Sequence, residues 1–418
     1  MRNQNLRIGV IADDFTGASD AASYLRAGGC STKLVIYPFM AEADITGCGA
    51  VVVALKSRSA ETETAVRDSM AAAAWLLGKG AEKLYFKYCS TFDSTPRGNI
   101  GPVADMLMEM TGTGYTLLCP SLTENGRTVK DGVLYVNGVP LEESPMKHHP
   151  LNPMWDSRIS VLMAQQSAYP VYILRRNEIS HEQIQAQLAE LQKYSSHFYL
   201  VPDYETPDDA ARIASCFRDL PLWTGGSELL KSLALLRGAQ AGCEKALPVP
   251  QKGHSCGRLM FCGSCSDMTQ KQVARWLSSG GRGRMVTPED AQKTGALFNE
   301  IAGAYLQDPH EDFLYYSSGS AGLMRNGPPD TAAAADIESV LSSLAVQITG
   351  SFHADRLIVA GGETSGAVIR ALGLHVFSIG RSVAPGVPIL YPQDTQISLV
   401  LKSGNFGGED FFLTALKE

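Results

Sequence analysis

The chain has 418 residues, of which 44% are hydrophobic and 19% charged, and its formal net charge at pH 7 is −7. A chain of this length exceeds one ordinary hydrophobic core and predicts two or three domains of a globular protein. The acidic balance argues against a general nucleic-acid binder, which normally presents a basic face. No apolar run approaches the roughly 20 residues that span a bilayer, and residues 1–7 lack the features of a secretory signal. We therefore expect a cytoplasmic protein whose partners include neither nucleic acid nor membrane.

The first predicted element is a buried strand that ends in two adjacent acids. The apolar residues 8–12 precede Asp13 and Asp14, and the small-residue pattern over 18–27 predicts the helix that follows. Open α/β sheets bind ligands at the carboxyl ends of their strands, so both acids lie where a ligand is expected. Asp14 also suits the N-cap of the helix. The other carboxylate then needs a cation, a metal or a substrate hydroxyl, because an uncompensated charge at an apolar strand end is costly.

Short apolar runs alternate with helical patterns along the rest of the chain. This alternation predicts an α/β fold of two lobes, each with a largely parallel, helix-covered sheet. A segment rich in proline and glycine begins at Ala246 and divides the series. We predict an N-terminal domain over residues 1–245, a linker over 246–256 and a C-terminal domain over 257–418. The active site is expected in a cleft between the two lobes.

Cations and polar side chains follow three further strands of the first domain. Arginine offers a bidentate fork and lysine a point charge, so these cations suit a small carboxylate ligand. A solvated surface position is the usual alternative for any one of them. Three at successive strand ends favour a common site, because strand-end loops carry function disproportionately. The predicted substrate-binding residues are Arg58, Lys87, Ser90, Asp93, Asn125 and Arg127.

Three glycine-rich loops follow strands of the second domain, over residues 263–266, 361–365 and 402–410. Glycine lets backbone amides approach an anion closely, and a helix N-terminus supplies unpaired N–H donors with a favourable dipole. Three such loops suit nucleotide phosphates. Neither the G-x-x-x-x-G-K-S/T pattern nor the G-x-G-x-x-G pattern follows these strands. The predicted nucleotide site therefore differs from these two common types.

Two motifs resemble those of the four-carbon acid sugar kinase family over nearly the whole chain. Members of the family have an acid-sugar-binding domain that opens with the motif A-D-D-x-T-G-A, followed by a nucleotide-binding domain with a G-G-E-T loop. This chain has matching motifs at residues 12–18 and 361–366. Residues 87–95 and 98–103 are most similar to the 3-oxo-tetronate kinase branch. The resemblance implies the following contacts with ATP: Ser264, Gly361, Gly362, Glu363, Thr364 and Gly404.

The resemblance also implies a reaction. The γ-phosphoryl group of ATP would pass to the terminal C4 hydroxyl of a 3-oxo-tetronate, with Mg2+ and the glycine-rich loops on the triphosphate. Asp14 or Asp13 would orient or deprotonate the hydroxyl, and Asp93 is the further candidate. The sequence does not indicate the metal ligands or the stereochemistry of the acid. It also leaves the oligomeric state open, and a homo-oligomer is one of the alternatives.

Three other functions compete with this interpretation. The first is a kinase of threonate or erythronate itself. The second is a two-domain NAD-dependent dehydrogenase, but its first strand should end in a glycine fingerprint rather than in two acids. The third is a carboxylate-binding protein without catalysis, which would have no use for three phosphate-type loops.

Overall fold

The computed structural model describes residues 6–148, 153–241, 257–308, 310–317, 331–351, 354 and 356–417. The chain divides into two compact units, Met1–Leu247 and Pro248–Glu418, which we call unit 1 and unit 2. The predicted linker over 246–256 lies outside the described residues. The predicted domain limits and the predicted cleft stay predictions.

Unit 1 contains these strands: β1 (Ile8–Ala12), β2 (Thr32–Ile36), β3 (Ala50–Ala54), β4 (Lys83–Lys87), β5 (Tyr115–Leu117), β6 (Arg127–Lys130), β7 (Val133–Val136), β8 (Val139–Pro140), β9 (Val171–Leu174), β10 (Phe198–Pro202) and β11 (Leu222–Gly225). Its α-helices are α1 (Phe15–Ala27), α2 (Thr62–Gly78), α3 (Ile100–Thr111), α4 (Ile159–Ala164), α5 (His181–Leu191), α6 (Pro207–Cys216) and α7 (Glu228–Ala241).

The main sheet of unit 1 is parallel, in the strand order β11-β4-β1-β3-β2. β1 lies between β3 and β4, and all three are buried along their length, as expected of strands covered by helices on both faces. The carboxyl ends of these three neighbouring strands therefore meet at one edge of the sheet.

Two smaller sheets complete unit 1. Strands β5, β10 and β9 pair in parallel, whereas β6, β7 and β8 form antiparallel hairpins. The hairpins were not predicted from the apolar runs. β6 is polar at three of its four positions, and β7, although apolar, has one half-buried face and pairs with this polar strand.

Unit 2 contains these strands: β12 (Leu259–Cys262), β13 (Arg282–Val286), β14 (Phe313–Ser317), β15 (Arg356–Ala360), β16 (Val376–Ala384), β17 (Val387–Pro392) and β18 (Ser398–Lys402). Its α-helices in the described residues are α8 (Asp267–Ser278), α9 (Thr294–Gln307), α10 (Thr331–Ser351), α11 (Gly362–Ala371) and α12 (Phe411–Lys417).

The strands of unit 2 follow the order β16-β17-β18-β15-β12-β14-β13. The pairings from β18 to β13 are parallel, and those of β17 with β16 and with β18 are antiparallel. The predicted fold class, α/β with largely parallel sheets, is therefore confirmed for both units. None of the helices that the structure describes is both long and apolar enough to cross a bilayer.

Two helices begin earlier than the sequence pattern predicts. Helix α1 starts at Phe15 rather than at residue 18, and α11 starts at Gly362 rather than at residue 366. The apolar period detects the packed face of a helix, whereas its first turn is set by the cap: Asp14 for α1 and Gly361 for α11. Both loops are correspondingly shorter, so the predicted site residues lie within a turn of a helix N-terminus.

Candidate functional site

Backbone hydrogen bonds join the loops after β1, β3 and β4. The amide of Asp13 donates to the carbonyl oxygen of Lys87 at 3.1 Å, and the amide of Arg58 donates to the carbonyl oxygen of Asp13 at 3.1 Å. The side-chain amide of Asn99 donates to the carbonyl oxygens of Ser57 and Ala60, both at 2.8 Å, and holds the loop that carries Arg58. These contacts bring four predicted site residues together: Asp13, Asp14, Arg58 and Lys87, here called the acid–cation group.

The Arg58 guanidinium connects the two acids. It donates to both carboxylate oxygens of Asp13, at 2.9 and 2.8 Å, and Nη2 lies 3.0 Å from Oδ1 of Asp14. Although burial by itself lowers the pKa of Arg58, the two acids raise it well above its ordinary value. Burial raises the pKa of Asp13 and outweighs the opposing charge of Arg58. Arg58 was predicted to clamp a substrate carboxylate, but two of its donor nitrogens already serve Asp13.

Asp14 is the N-cap of α1, as one of the two sequence interpretations required. Its Oδ1 accepts from the amide of Gly17 at 2.8 Å, and its Oδ2 accepts from the Thr16 hydroxyl at 3.0 Å. Burial alone would raise the pKa of Asp14, but Arg58, Lys87 and the two hydrogen bonds together lower it. The side chain is 26% exposed, against 6% for Asp13, so Asp14 is the acid that a substrate reaches more easily.

Lys87 and Asp20 form the buried side of this site. Lys87 is 3% exposed, and its ammonium donates to the carbonyl oxygen of Tyr88 at 2.9 Å. Asp20, on α1, is also 3% exposed and hydrogen-bonds through Oδ2 to the Ser227 hydroxyl. Burial raises the pKa of Asp20 to about 6, against the opposing charge of Lys87. Asp20 was not predicted from the sequence; the available signal was a lone acid among small residues in the pattern after Asp14.

Arg127 reaches the same region from a different loop. A 3-10 turn, Thr123–Asn125, precedes it, and its Nη1 donates to the carbonyl oxygen of Asn125. Glu228 holds the turn by accepting from the amide of Thr123 at 2.5 Å and from its hydroxyl at 2.7 Å. Burial lowers the pKa of Arg127, while the charge of Asp20 opposes that shift. Asp20 therefore interacts electrostatically with both predicted cations, Lys87 and Arg127.

The segment after β4 carries the remaining predicted substrate residues. Phe92 has the left-handed φ of 50° and packs edge-on against Tyr88, with ring centroids 5.5 Å apart. This turn follows the half-buried Ser90 and precedes Asp93, which is 8% exposed. The structure places both residues at the strand end where the sequence predicted them.

In unit 2, the three glycine-rich loops follow the adjacent strands β12, β15 and β18. The amides of Gly263 and Ser264 donate to the carbonyl oxygen of Ala360 at 3.1 and 3.2 Å, and the amide of Gly361 donates to that of Lys402 at 2.9 Å. Because neighbouring parallel strands end at the same edge, the loops form one continuous surface. We call them the first (263–266), second (361–365) and third (403–410) phosphate loops.

Close packing requires glycine in these loops. A Cβ on Gly263 would lie 2.0 Å from Oγ1 of Thr364, and one on Gly404 would lie 2.6 Å from Oγ of Ser264. Gly361 has φ +124°, and a Cβ there would lie 3.1 Å from the amide nitrogen of Ser264. The predicted ATP contacts Ser264, Gly361, Thr364 and Gly404 are thus brought together.

The second loop leads directly into α11, whose first residues are Gly362 and Glu363. Thr364 is buried and the Glu363 side chain is exposed. The first turn of a helix presents backbone N–H groups and a favourable dipole, which suit an anion. The described residues contain no group of three or more His, Cys, Asp or Glu side chains able to hold a metal ion by themselves.

Comparison with known proteins agrees with the division of the chain. Residues 8–233 match the family model of a sugar-binding N-terminal domain, and residues 259–412 match that of a nucleotide-binding C-terminal domain. A curated 3-oxo-tetronate kinase from Pectobacterium atrosepticum is 40% identical, over 99% of this chain and 99% of the relative. Another, from Salmonella typhimurium, is 38% identical over 99% of each chain.

Solved structures show the same architecture. A crystal structure from Salmonella typhimurium has a TM-score of 0.83 and 37% identity, and the similarity covers 98% of both chains. One from Haemophilus influenzae has a TM-score of 0.77 and 35% identity, covering 98% of this chain and 99% of the other. The chain therefore belongs to the four-carbon acid sugar kinase family, in which it is most like the 3-oxo-tetronate kinases.

Proposed function

We propose that this protein transfers the γ-phosphoryl group of ATP to the terminal C4 hydroxyl of a 3-oxo-tetronate and so forms 3-oxo-tetronate 4-phosphate. Relatives that bear this kinase name match the chain over nearly its full length. The structural observation that carries the proposal is the acid–cation group, in which two carboxylates and two cations meet at three adjacent strand ends. A keto acid with a free hydroxyl has the complementary carboxylate and polar oxygens.

Asp14 is our candidate for the group that contacts the attacking hydroxyl. Its lowered pKa keeps the carboxylate ionised at neutral pH, so it can accept a hydrogen bond from the hydroxyl. Phosphoryl transfer passes through a loose transition state, in which positioning matters more than a strong base. We assign Asp13 the role of holding Arg58 in place, because both of its carboxylate oxygens accept hydrogen bonds from that side chain.

Buried polar atoms without partners support a ligand site beside Asp14. Among the residues that the structure describes, Oδ1 of Asp20, Oδ1 of Asp93 and Nε of Arg127 are buried and accept or donate no hydrogen bond. Such atoms cost free energy until a partner reaches them. We assign the substrate carboxylate to Lys87 and Arg127. The polar groups assigned to the other substrate oxygens are Ser90, Asp93 and Asn125.

ATP is assigned to the phosphate loops of unit 2. The amides of Gly362 and Thr364 and the Ser264 hydroxyl provide donors for phosphate oxygens, and Gly361 and Gly404 leave room for them. Mg2+ commonly binds through one or two carboxylates and substrate phosphates rather than in an all-protein cage. The exposed Glu363 at this loop fits that role, and the ion would neutralise charge on the triphosphate. Since ATP is the phosphoryl donor, we propose that the enzyme works in the cytoplasm.

A substrate panel tests the proposal. Purified protein with ATP and Mg2+ is incubated with 3-oxo-tetronates, threonates and erythronates of each configuration, and ADP release is followed by a coupled assay. We expect the highest kcat/KM for a 3-oxo-tetronate, with the phosphate on C4 by 31P NMR. A higher kcat/KM for threonate or erythronate would replace the proposed substrate by the reduced acid.

Two outcomes would remove the kinase proposal itself. Binding of tetronates without ADP release would favour a carboxylate-binding protein. Saturable quenching of nicotinamide fluorescence, with hydride transfer in place of ADP release, would favour a dehydrogenase.

A further inference from the structure

Lys402, the last residue of β18, is fully buried and lies behind the third phosphate loop. Its ammonium donates to the carbonyl oxygen of Gly404 at 3.0 Å and to Oγ1 of Thr269 at 3.0 Å. The Thr269 hydroxyl in turn donates to the Gly404 carbonyl oxygen at 2.7 Å. Strand β18, helix α8 and the third loop are therefore joined by one closed set of hydrogen bonds.

The third loop is also fixed further along its length. Nε2 of Gln272, on α8, faces the carbonyl oxygens of Phe406, Gly407 and Gly408 at 2.9–3.2 Å. These contacts hold the end of the loop, whereas Lys402 and Thr269 hold its beginning. The beginning is the part that faces the first loop, because a Cβ on Gly404 would meet the hydroxyls of Ser264 and Ser266 at 2.6 and 2.9 Å.

Within the described part of the chain, no carboxylate forms an ion pair with the ammonium group of Lys402. Both acceptors of the ammonium are neutral oxygens. The titratable group that faces it from β12 is the Cys262 thiol, and α12 presents the ring of Phe411, with its centroid 5.7 Å from Nζ.

Acids do occur in the same loop, but they pair elsewhere. Glu409 and Asp410 interact with Lys271 and Arg275 on the exposed side of α8. Burial lowers the pKa of Lys402 to about 8, against the weak opposing influence of Cys262. A charge held at this cost beside a loop with anion-binding geometry indicates function, because strongly perturbed groups cluster at functional sites.

We propose that Lys402 is a positioning residue for the nucleotide: its ammonium group orders the third phosphate loop against the first and adds positive charge behind the bound phosphates. The inference rests on the proposed assignment of ATP to these loops. ATP binding should therefore require protonated Lys402, whereas the binding of the acid sugar should not.

The test compares Lys402→Met, Lys402→Arg and the control Lys293→Met in the full chain. Lys293 is an exposed lysine of unit 2 and lies outside the three phosphate loops. ATP affinity is measured by calorimetry without acid sugar, and KM for each substrate and kcat are measured separately. We expect Lys402→Met to weaken ATP binding roughly ten- to hundredfold, the loss typical of a hydrogen bond to a charged group. KM for the acid sugar should change less than about twofold, and Lys293→Met should resemble wild type.

A pH series supplies the second readout. Wild-type affinity for ATP should fall as the pH rises through about 8, where Lys402 loses its proton. Lys402→Arg, which stays protonated, should show no such fall. Circular dichroism and thermal unfolding identify a variant that fails to fold. If Lys402→Met fails to fold, the pH dependence of ATP binding by the wild-type protein tests the role of Lys402.

The outcomes separate this inference from the proposed function. Wild-type affinity for ATP in folded Lys402→Met, or a flat wild-type profile between about pH 7 and about pH 9.5, overturns the role of Lys402 alone. If ATP binding depends on Lys402 but no tetronate is phosphorylated, the proposed role of Lys402 is supported and the proposed substrate is overturned. A wild-type protein that binds no ATP overturns both.

Discussion

Arg58 holds Asp13 in a bidentate ion pair, with Nε 2.9 Å from Oδ2 and Nη2 2.8 Å from Oδ1. The same Nη2 lies 3.0 Å from Oδ1 of Asp14. Two like charges on consecutive residues at the end of a buried strand repel each other, and Arg58 compensates both. Asp13 therefore anchors Arg58, whereas the more exposed Asp14 is the acid that we propose contacts the substrate.

Removing Arg58 should leave Asp13 buried without its counter-charge. We expect Arg58→Met to lower the free energy of unfolding by about 3–5 kcal/mol, the range for breaking a buried ion pair by removing one partner. Urea unfolding measures the loss. The control is Arg67→Met, which removes an exposed ion pair with Asp68 and should cost less than about 1 kcal/mol. Equal losses in the two variants would contradict the structural role of Arg58.

Asp14→Asn should abolish most turnover and leave the fold intact. Asparagine is as good an N-cap as aspartate, so the hydrogen bond from the Gly17 amide can be kept. We expect kcat to fall by about 10²–10⁴, in the range that positioned acid–base groups contribute. ATP affinity by calorimetry should change little. Asp208→Asn, at an exposed position of α6, is the matched control, and unchanged kcat in Asp14→Asn would remove Asp14 from the mechanism.

The buried carboxyl of Asp20 predicts a pH-dependent stability. Its pKa is raised from 3.8 to about 6, so the folded state holds this proton over a range in which the unfolded state has lost it. The resulting stabilisation is present at low pH and is lost as the pH rises from about 4 to about 6, after which the ionised group carries a cost of about 3 kcal/mol.

Comparison with Asp20→Asn isolates this effect from other titrations. The difference in unfolding free energy, variant minus wild type, should grow by about 2 kcal/mol between about pH 4 and about pH 6.5. A difference that stays constant over this range would show that Asp20 ionises normally. Because Asp20 interacts with Lys87 and Arg127, we also expect Asp20→Asn to raise KM for the acid sugar.

Gly361→Ala should impair the nucleotide site selectively. Its φ of +124° disfavours any side chain, and the added Cβ would press on the amide of Ser264 at 3.1 Å. We expect KM for ATP to rise at least about tenfold, which corresponds to 1.4 kcal/mol, with KM for the acid sugar unchanged. Gly295→Ala, on α9 with open space around it, should bind ATP normally and be slightly more stable. Normal ATP kinetics in Gly361→Ala would argue against phosphate contacts at the second loop.

The residue pattern predicted the α/β class, the positions of most strands along the chain and the motifs at their ends. These features are local, because they depend on the apolar period, on glycine and on acids that follow a strand directly. Asp13, Asp14 and the glycine-rich loops over 263–266 and 361–365 were predicted from such signals. The tertiary structure decided which loops meet, since strand neighbours such as β1 with β4 and β15 with β18 are distant in the chain.

Charge compensation was likewise decided by the fold. Arg58 was predicted as a substrate ligand, yet it holds Asp13, because the parallel pairing of β1 with β3 sets their loops side by side. Asp20 and Lys402 carry no motif and acquire their shifted pKa values from burial. Burial is a property of the packed structure, so the sequence alone could not distinguish these two residues from solvated charges.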